Sequence, residues 1–598
     1  MAAALAEITP AKQSCRAAFA CAPPSMTPSS AHPHAIIHTQ WVLLWSTGFA
    51  IGWLLPAGFL PWPDFHPESW YASVFLIAAT TLLWRTRGAW ALPSVVAPLL
   101  ALALVPLLQW AGGLIYFAGV AWMTCAFLAA LALVSWCSHR WETLAPGQGL
   151  NGLFMAVGLA AFLTVVIQCY QWLGQVGAGN WWMLHDGSQR PAGNFAQPNM
   201  AATFLCWGLC AVAWAAARRR LGYGSAGVLA AILLWGVALT GSRTAWLGLS
   251  LVVLGTLFWR DRLPTRRVLW LVLALAVYFA LCVLLLTLLN SGASEQSVMS
   301  GASLRIRLQI WQMGLQALLL KPWWGYGWGH TFAAQLAVAD QFPAMAQYFT
   351  STHNLVLDLL LWNGLPLGAF IVLGGGYWLV GVLRCVRTAQ DMVLVLFVLL
   401  VLNHAMLELP LHYAYMLLPL GWVLGAVEQR MGAAPAHRPG VSKTWVAMAV
   451  GAMAALLVLI VTDYLRVEQS LRDKVQFRLA SPPREWQLPD VRVLTHLRAE
   501  LELAQYPVLR RPLAPTELQR LQAMAALSPK AGSGILVAGA LAMNGQPERA
   551  RWWLARMCKV TSNEVCAKAH ANWTRAATTH PEIAAIDWPE EPEGAAKP

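Results

Sequence analysis

Apolar runs of membrane-crossing length recur thirteen times along this chain, each bounded by charged residues or Pro/Gly breaks. They fall at about 39–60, 69–84, 89–109, 113–137, 150–174, 197–217, 222–240, 244–259, 268–289, 354–383, 391–409, 411–428 and 444–464. A helix needs roughly 20 apolar residues to cross the hydrocarbon core of a bilayer. Several runs are short, so the reading is twelve or thirteen spans in an all-α polytopic membrane protein. Composition agrees. Only 11% of residues are charged and 58% are hydrophobic, whereas a soluble globular protein carries roughly 25% charge. So few charges cannot cover a water-soluble particle, and most of the surface must face lipid.

The net charge of +13 would suit a nucleic-acid binder, but the positions of the cations argue otherwise. With the N-terminus in the cytoplasm, the inward loops hold Arg85, Arg87, Arg140, Arg218, Arg219, Arg220, Arg260, Arg262, Arg266, Arg267, Arg384, Arg387, Arg430, Arg438 and Lys443. The outward loops hold only Arg190, Arg243, Arg305, Arg307 and Lys321. That asymmetry is what the positive-inside rule requires, and it accounts for the basic character without nucleic acid. The organisation that follows is a low-complexity leader at 1–35, with no signal-peptide core and Met26 as an alternative start. Nine spans then occupy 36–289, an outward loop 290–352, four further spans 353–464, and a soluble outward tail 465–598. Two tail cysteines, Cys558 and Cys566, either pair in an oxidising compartment or remain two buried thiols.

Five outward segments carry chemistry. In RPAGNFAQPNMAATFL (190–205), a turn leads into a span; Asn199 is placed to cap that helix, while Gln197 and Asn194 exceed what a cap requires. LTGSRTAWLGL (239–249) joins two spans by a tight turn. An arginine there meets both the apolar edge and the positive end of a helix dipole, and an anion beside Arg243 would relieve both; a snorkelling side chain is the ordinary alternative. In ASLRIRLQIWQMGLQALLLKPWWGYGWGHTF (302–332), Arg305 and Arg307 precede an amphipathic helix that runs to Lys321–Pro322, followed by a Gly-aromatic loop; a surface helix with two solvated arginines is the ordinary alternative. That loop lacks the GK[ST] ending of a phosphate-binding Walker loop and suits the membrane interface.

YFTSTHNLVLDLLLWNGLPLG (348–368) puts Ser351 or Thr352 at a helix N-cap and His353 in the first turn. Asn354 and Asp358, four residues apart, share a face, and an acid inside a span is a functional-site hypothesis by default. A histidine titrates near neutrality and can take up a proton at working pH. In LNHAMLELPLHYAYMLLP (402–419), His404 and Glu408 are four apart on one helix face and Pro410 ends the helix. His404, Glu408 and His412 have no metal-site spacing, so no metal or other cofactor is expected; a structural His–Glu contact is the alternative. These segments place Arg243, Arg307, His353, Glu408 and Tyr413 at one membrane level. Fixed cations beside a potential base suit transfer from an anionic activated lipid, since arginines hold a diphosphate bidentately and stabilise its growing charge.

The same five segments resemble bacterial O-antigen ligases and polymerases, and more closely the protein O-oligosaccharyltransferases of PglL, or pilin-glycosylase, type. GNFAQPN, TGSRTA, RLQIW with KPWWGYGWG, STHNLVLDLLLWNGLPLG and HAMLELPLHYAYMLLP occur in the family's order over about 190–430. The resemblance implies a multi-pass protein of the bacterial inner membrane with a periplasmic catalytic loop and C-terminus. It implies an undecaprenyl-diphosphate-linked glycan as donor and a Ser or Thr hydroxyl of a pilin-like protein as acceptor, without metal. By position, His353 is the essential histidine, Arg243 and Arg307 are the diphosphate ligands with Arg305 as the weaker candidate, and Gln197 and Tyr413, or Tyr415 in its place, are further functional residues. The tail resembles one or two tetratricopeptide hairpins around Asn544–Gly545–Gln546–Pro547 and the helix bearing Ala550, Trp553 and Leu554. The competing expectations are transfer to lipid A core by an O-antigen ligase, a polymerase, and a transporter or flippase. A transporter would place ionisable groups at mid-membrane and show repeats.

Overall fold

The computed structural model describes residues 39–177, 182–184, 190–195, 197–289, 295–432, 439–479, 486–506, 511–529 and 531–589. The leader at 1–35, Arg438 and the first residues of the 290–352 loop lie outside the described residues. Each of the thirteen apolar runs coincides with one helix. In chain order these are α1 (Thr39–Leu54), α2 (Phe65–Arg85), α3 (Val96–Ala111), α4 (Ala118–Leu144), α5 (Gln148–Trp172), α6 (Pro198–Ala217), α7 (Tyr223–Leu239), α8 (Arg243–Phe258) and α9 (Arg266–Leu289). The amphipathic α10 (Glu295–Leu320) and the short α11 (Thr331–Val338) follow. Next come α12 (Leu355–Arg384), α13 (Ala389–Ala405), α14 (Ala414–Met431) and α15 (Lys443–Leu479). The tail forms α16 (Thr495–Leu503), α17 (Pro515–Leu527), α18 (Ala531–Met543), α19 (Pro547–Lys559), α20 (Asn563–Ala577) and α21 (Pro581–Ala584). Among the described residues the only sheet is a two-residue antiparallel pairing of Trp90–Ala91 with Gly440–Val441. Six helices are long and apolar enough to cross a membrane on their own, and α9 among them is almost unburied along its apolar length. The protein is therefore an all-α polytopic membrane protein.

The described residues divide into two compact units: those within 1–104, 126–293 and 373–461 form one, and those within 105–125, 294–372 and 462–598 the other. The first unit is built on large aromatic side chains. Trp207 stacks on Phe397 with ring centroids 4.0 Å apart and donates its indole N–H to the Phe397 carbonyl at 3.0 Å; a buried indole needs such a partner. Between membrane helices, small residues allow the backbone approach that hydrophobic burial alone does not drive. Gly425 of α14 shows this, since a Cβ there would lie 2.0 Å from the Ser135 carbonyl oxygen of α4.

The second unit packs two apolar clusters. One joins α10 and α11 to Met345, Phe349, Leu361 and Val560. The other gathers the tail helices around Leu521, Val537, Leu541, Leu554 and Trp573. The tail is anchored to α15 by Asp463, whose Oδ2 accepts the successive backbone N–H groups of Arg492, Val493 and Leu494 at 2.8, 2.6 and 3.1 Å. The hairpin of α18 and α19 turns at Gly545, in the left-handed region at φ 69°.

Candidate functional site

The arginine turn of the first unit is ordered by polar side chains from three segments. Gly241 adopts φ 57°, and Ser242 caps α8 by accepting the Ala245 N–H at 3.4 Å. The Ser242 hydroxyl donates to Asn199 Oδ1 at 2.7 Å, and Asn199 Nδ2 donates to Glu408 Oε1 at 3.2 Å. Asn403 Nδ2 donates to the Thr244 carbonyl at 3.1 Å, fixing α13 to the first turn of α8. Arg243, the first residue of α8, is exposed. Arg190 donates through Nε to the Thr240 carbonyl at 2.8 Å. Burial, then the neighbouring Arg243 charge, hold its guanidinium below the ordinary value, with Glu408 acting in opposition. Two cations therefore face one carboxylate at the end of α8, which leaves the corner electropositive.

Beside it, Tyr413 and Tyr415 pack with ring centroids 5.3 Å apart. The Tyr415 carbonyl accepts the Trp53 indole N–H at 3.0 Å. Glu68, at the start of α2, accepts the Ala414 N–H at 3.2 Å. Asp64 lies in the preceding loop and is hydrogen-bonded to Tyr415; burial pushes its carboxyl from 3.8 up to about 6. Asp64 Oδ1 and Glu68 Oε2 are both buried with no hydrogen-bond partner. Glu68 thus holds the backbone between the two tyrosines, and Asp64 holds the Tyr415 side chain.

In the second unit a single carboxylate organises the histidine. Asp358, only 2% exposed, accepts the Ser351 hydroxyl at 2.5 Å. It also accepts the Thr352 N–H at 2.8 Å and the Thr352 hydroxyl at 2.9 Å. Ser351 Oγ in turn accepts the His353 N–H at 2.9 Å. His353 adopts φ 56°, a left-handed backbone that a non-glycine residue holds only when its surroundings fix it. Its ring meets Phe349 edge to face at 6.2 Å between centroids. Trp311 of α10 donates its indole N–H to the Thr352 carbonyl at 3.0 Å. Arg307 lies one turn before Trp311 and is half-buried, whereas Arg305 is exposed. The histidine loop is thereby tied to the helix that carries Arg307.

The Gly-aromatic loop also completes a broken helix. Gly364, at φ 75°, breaks α12. Pro366 has no N–H to offer the Trp362 carbonyl, as proline removes the bond to residue i−4. The loop repairs the gap. Tyr326 N–H donates to Leu361 O at 2.9 Å and Gly327 N–H to Trp362 O at 3.1 Å, while Leu365 N–H turns to Pro322 O at 2.6 Å. A Cβ on Gly325 would lie 2.4 Å from the Leu361 carbonyl oxygen, so this position needs glycine. Trp323 and Trp324 are 71% and 80% exposed.

The tail also reaches the segment leading to the histidine. The Lys559 carbonyl accepts the Met345 N–H at 2.9 Å, and Arg556 pairs with Asp340 at 2.5 Å. A disulfide between Cys558 and Cys566, with Cα atoms 5.3 Å apart, closes the turn between α19 and α20. Gln335 holds the same segment from α11, donating to Gln347 O at 3.0 Å and accepting Phe349 N–H at 2.9 Å.

Several local expectations change. Gln197, exposed, is the N-cap of α6, and Asn199 sits inside the helix with its side chain on Ser242 and Glu408. Asn194 folds the preceding loop through bonds to Leu54 O, Trp182 O and Leu184 N. Neither Ser351 nor Thr352 caps α12; Asn354 does, accepting Leu357 N–H at 3.1 Å, and His353 precedes the helix. Helix α13 ends at Ala405, so Glu408 lies beyond it in the turn, while His404 is buried against the Thr203 hydroxyl at 2.9 Å. Arg243, Glu408, Tyr413 and Tyr415 belong to the first unit, Arg305, Arg307, His353 and Asp358 to the second. Sequence reasoning missed Asp64 and Glu68. The signal was present in PDFHPESW: two acids four apart at the mouth of a span.

Known proteins bear on this arrangement. Residues 227–372 match the family described as O-Antigen ligase, and residues 392–575 match "Virulence factor membrane-bound polymerase, C-terminal". A General O-oligosaccharyltransferase of Acinetobacter baylyi is 31% identical over 519 residues, covering 82% of this chain and 87% of that protein. A ComP-specific O-oligosaccharyltransferase of the same organism is 29% identical over 243 residues, 40% of this chain and 44% of that protein. The first alignment is long enough to take in both units, and the second family match extends through most of the helical tail.

Proposed function

Because the chain belongs to the O-oligosaccharyltransferase family within the O-antigen ligase superfamily, we propose that it moves a whole glycan from undecaprenyl diphosphate to a Ser or Thr hydroxyl of a pilin-like protein at the periplasmic face of the inner membrane. The acceptor oxygen forms a bond to the anomeric carbon as the bond from that carbon to the diphosphate breaks. His353 takes the hydroxyl proton, and undecaprenyl diphosphate leaves with the electron pair. Negative charge grows on the leaving diphosphate, and Arg307 and Arg243 supply the cations that stabilise it. Positioned base catalysis contributes about 10²–10⁴-fold. The scheme uses no metal and no nucleotide, since the donor is already activated.

The observation that carries this reading is the Asp358 bracket. Three hydrogen bonds to one buried carboxylate fix the two residues before the histidine, and the hydroxyl of one of them, Ser351, accepts the His353 N–H. A carboxylate in that place stabilises the imidazolium formed when the proton is taken up, as in other base-catalysed transfers. The cation asymmetry of the loops supports the orientation. The test combines full-length purified protein with undecaprenyl-diphosphate glycan and a pilin acceptor, followed by intact mass spectrometry. The expected result is a shift of one whole glycan on a serine or threonine. A shift on lipid A core instead selects the ligase reading, and no transfer to either acceptor refutes both.

A further inference from the structure

The first unit contains an apolar cavity of about 710 Å³ between α6, α7, α8 and α9 and the start of α13. Its walls are hydrocarbon: Ala230 of α7, Leu249 and Val253 of α8, and Leu271 and Val272 of α9 are typical. Of the two hydroxyl groups on its lining, that of Ser250 is bonded to the Trp246 carbonyl of its own helix at 2.9 Å. Along α9 the lining runs from Val268 to Val283, roughly 22 Å at 1.5 Å per residue. That exceeds half of the hydrocarbon core, which is about 30 Å thick. The cavity is long enough for one extended acyl chain of a single leaflet.

One end of this cavity is set in cations. Its lining includes Ala217, Tyr223, Leu263, Pro264 and Val268, and the intervening stretches 218–222 and 259–267 carry seven arginines against one acid, Asp261. Arg219, Arg220, Arg260, Arg262, Arg266 and Arg267 are exposed. The positive-inside tendency explains cations in loops generally, but not why two such loops flank the mouth of an acyl-sized cavity. Basic pockets between membrane helices are the recurrent form of anionic headgroup sites.

We propose that this cavity is a binding site for an anionic glycerophospholipid, with an acyl chain between α8 and α9 and its phosphate among Arg262, Arg266 and Arg267. The occupant is distinct from the glycan donor. The donor diphosphate is assigned to the Arg243 end of α8, whereas the cations that would hold this phosphate lie at the opposite end of the same helix; the apolar lining itself runs along α8 as far as Trp246. Helix α8 has sixteen residues, about 24 Å, and is too short to span the core unaided. A lipid bound along it fills volume that would otherwise forfeit its packing contacts.

The probe is phosphatidylglycerol carrying a diazirine in its acyl chain, applied to the full-length protein in neutral detergent. Labelled peptides should map to Leu249–Val253 and Leu271–Val272. Unlabelled phosphatidylglycerol should compete, and phosphatidylcholine should not. The triple variant Arg262→Gln, Arg266→Gln, Arg267→Gln should weaken competition on the order of 100-fold, at about five-fold per cation near a lipid surface. Ala230→Phe, which narrows the cavity with the arginines intact, should reduce labelling. Equal competition by phosphatidylcholine overturns the proposal, as does labelling confined to helices that do not line the cavity. Displacement by undecaprenyl phosphate at lower concentration than by phosphatidylglycerol also overturns it, since the cavity would then hold the polyprenyl chain. None of these outcomes depends on whether the protein transfers glycan.

Discussion

Asp358 accepts the hydroxyl hydrogen of Ser351 at 2.5 Å, from inside the first turn of α12 back to the loop that precedes it. The bond crosses the position where a helix cap would act, and Asn354 caps the helix instead. His353 lies between the two residues in the chain, with its backbone in the left-handed region and its N–H on the Ser351 hydroxyl.

Removing that carboxylate should therefore cost more in activity than in fold. Asp358→Ala orphans the Ser351 hydroxyl and the Thr352 N–H, each buried loss worth about 1–3 kcal/mol, while the Thr352 hydroxyl keeps the Asn354 carbonyl at 3.2 Å. Glycan transfer should fall by at least about 100-fold, in proportion to that loss, while donor affinity stays near wild type. Asp358→Asn keeps an acceptor for the Thr352 N–H and should retain more activity than the alanine variant. Transfer rates at saturating donor, alongside donor titrations, check both.

Trp311→Phe keeps the ring in place and deletes one hydrogen bond to Thr352. A net bond of that kind is worth about 0.5–1.5 kcal/mol. The expected effect is a drop in transfer rate of about three- to ten-fold with melting temperature almost unchanged. A rate equal to wild type would remove the indole from the account of how the Arg307 helix holds the histidine loop.

The Asp64 carboxyl gives a stability signature in pH. Its value is raised from 3.8 to about 6, so the folded protein binds this proton more tightly than the unfolded chain does. Stability from this group is greatest below pH 3.8 and is lost as pH rises to about 6, by up to about 3 kcal/mol. Asp64→Asn should therefore gain relative stability at pH 7.5 and lose that advantage towards pH 4. Thermal melts of both proteins across this range, read as the difference between them, isolate the group from all other titrations.

The turn between α19 and α20 braces the approach to His353 through Lys559 and Arg556. Opening the disulfide with the double variant Cys558→Ser, Cys566→Ser should increase hydrogen exchange at residues 339–349 while leaving α18 protected, as local opening does. Arg556→Ala should do the same by removing the Asp340 pair and its contact with the Trp552 ring, 4.4 Å from the guanidinium carbon. Unchanged exchange in both variants would make the tail a cover with no hold on the loop.

How much of this was legible in the sequence depends on whether the controlling interactions are local. Each apolar run gave a helix, because twenty consecutive apolar residues leave a chain in lipid little alternative. The Ser242 turn was also legible, since Gly241 and a capping serine act within four residues. The role of Asn199 was not, because its partners Ser242 and Glu408 are distant in the chain. Ser351 looked like a cap until its bond to a buried acid outcompeted that position. The break in α12 could have been read from WNGLPLG, where Pro366 necessarily frees the Trp362 carbonyl. That the GYGWG loop supplies the missing donors could not, because the pairing joins segments almost forty residues apart.

The central claim is that His353 takes the acceptor proton and does not hold the donor. Single-turnover transfer by His353→Gln, with donor binding measured on the same preparation, tests it most directly. The account predicts donor affinity within about two-fold of wild type and a transfer rate lower by about 10²–10⁴-fold. A variant that transfers glycan at the wild-type rate, or one that fails because it no longer binds the donor, would contradict it.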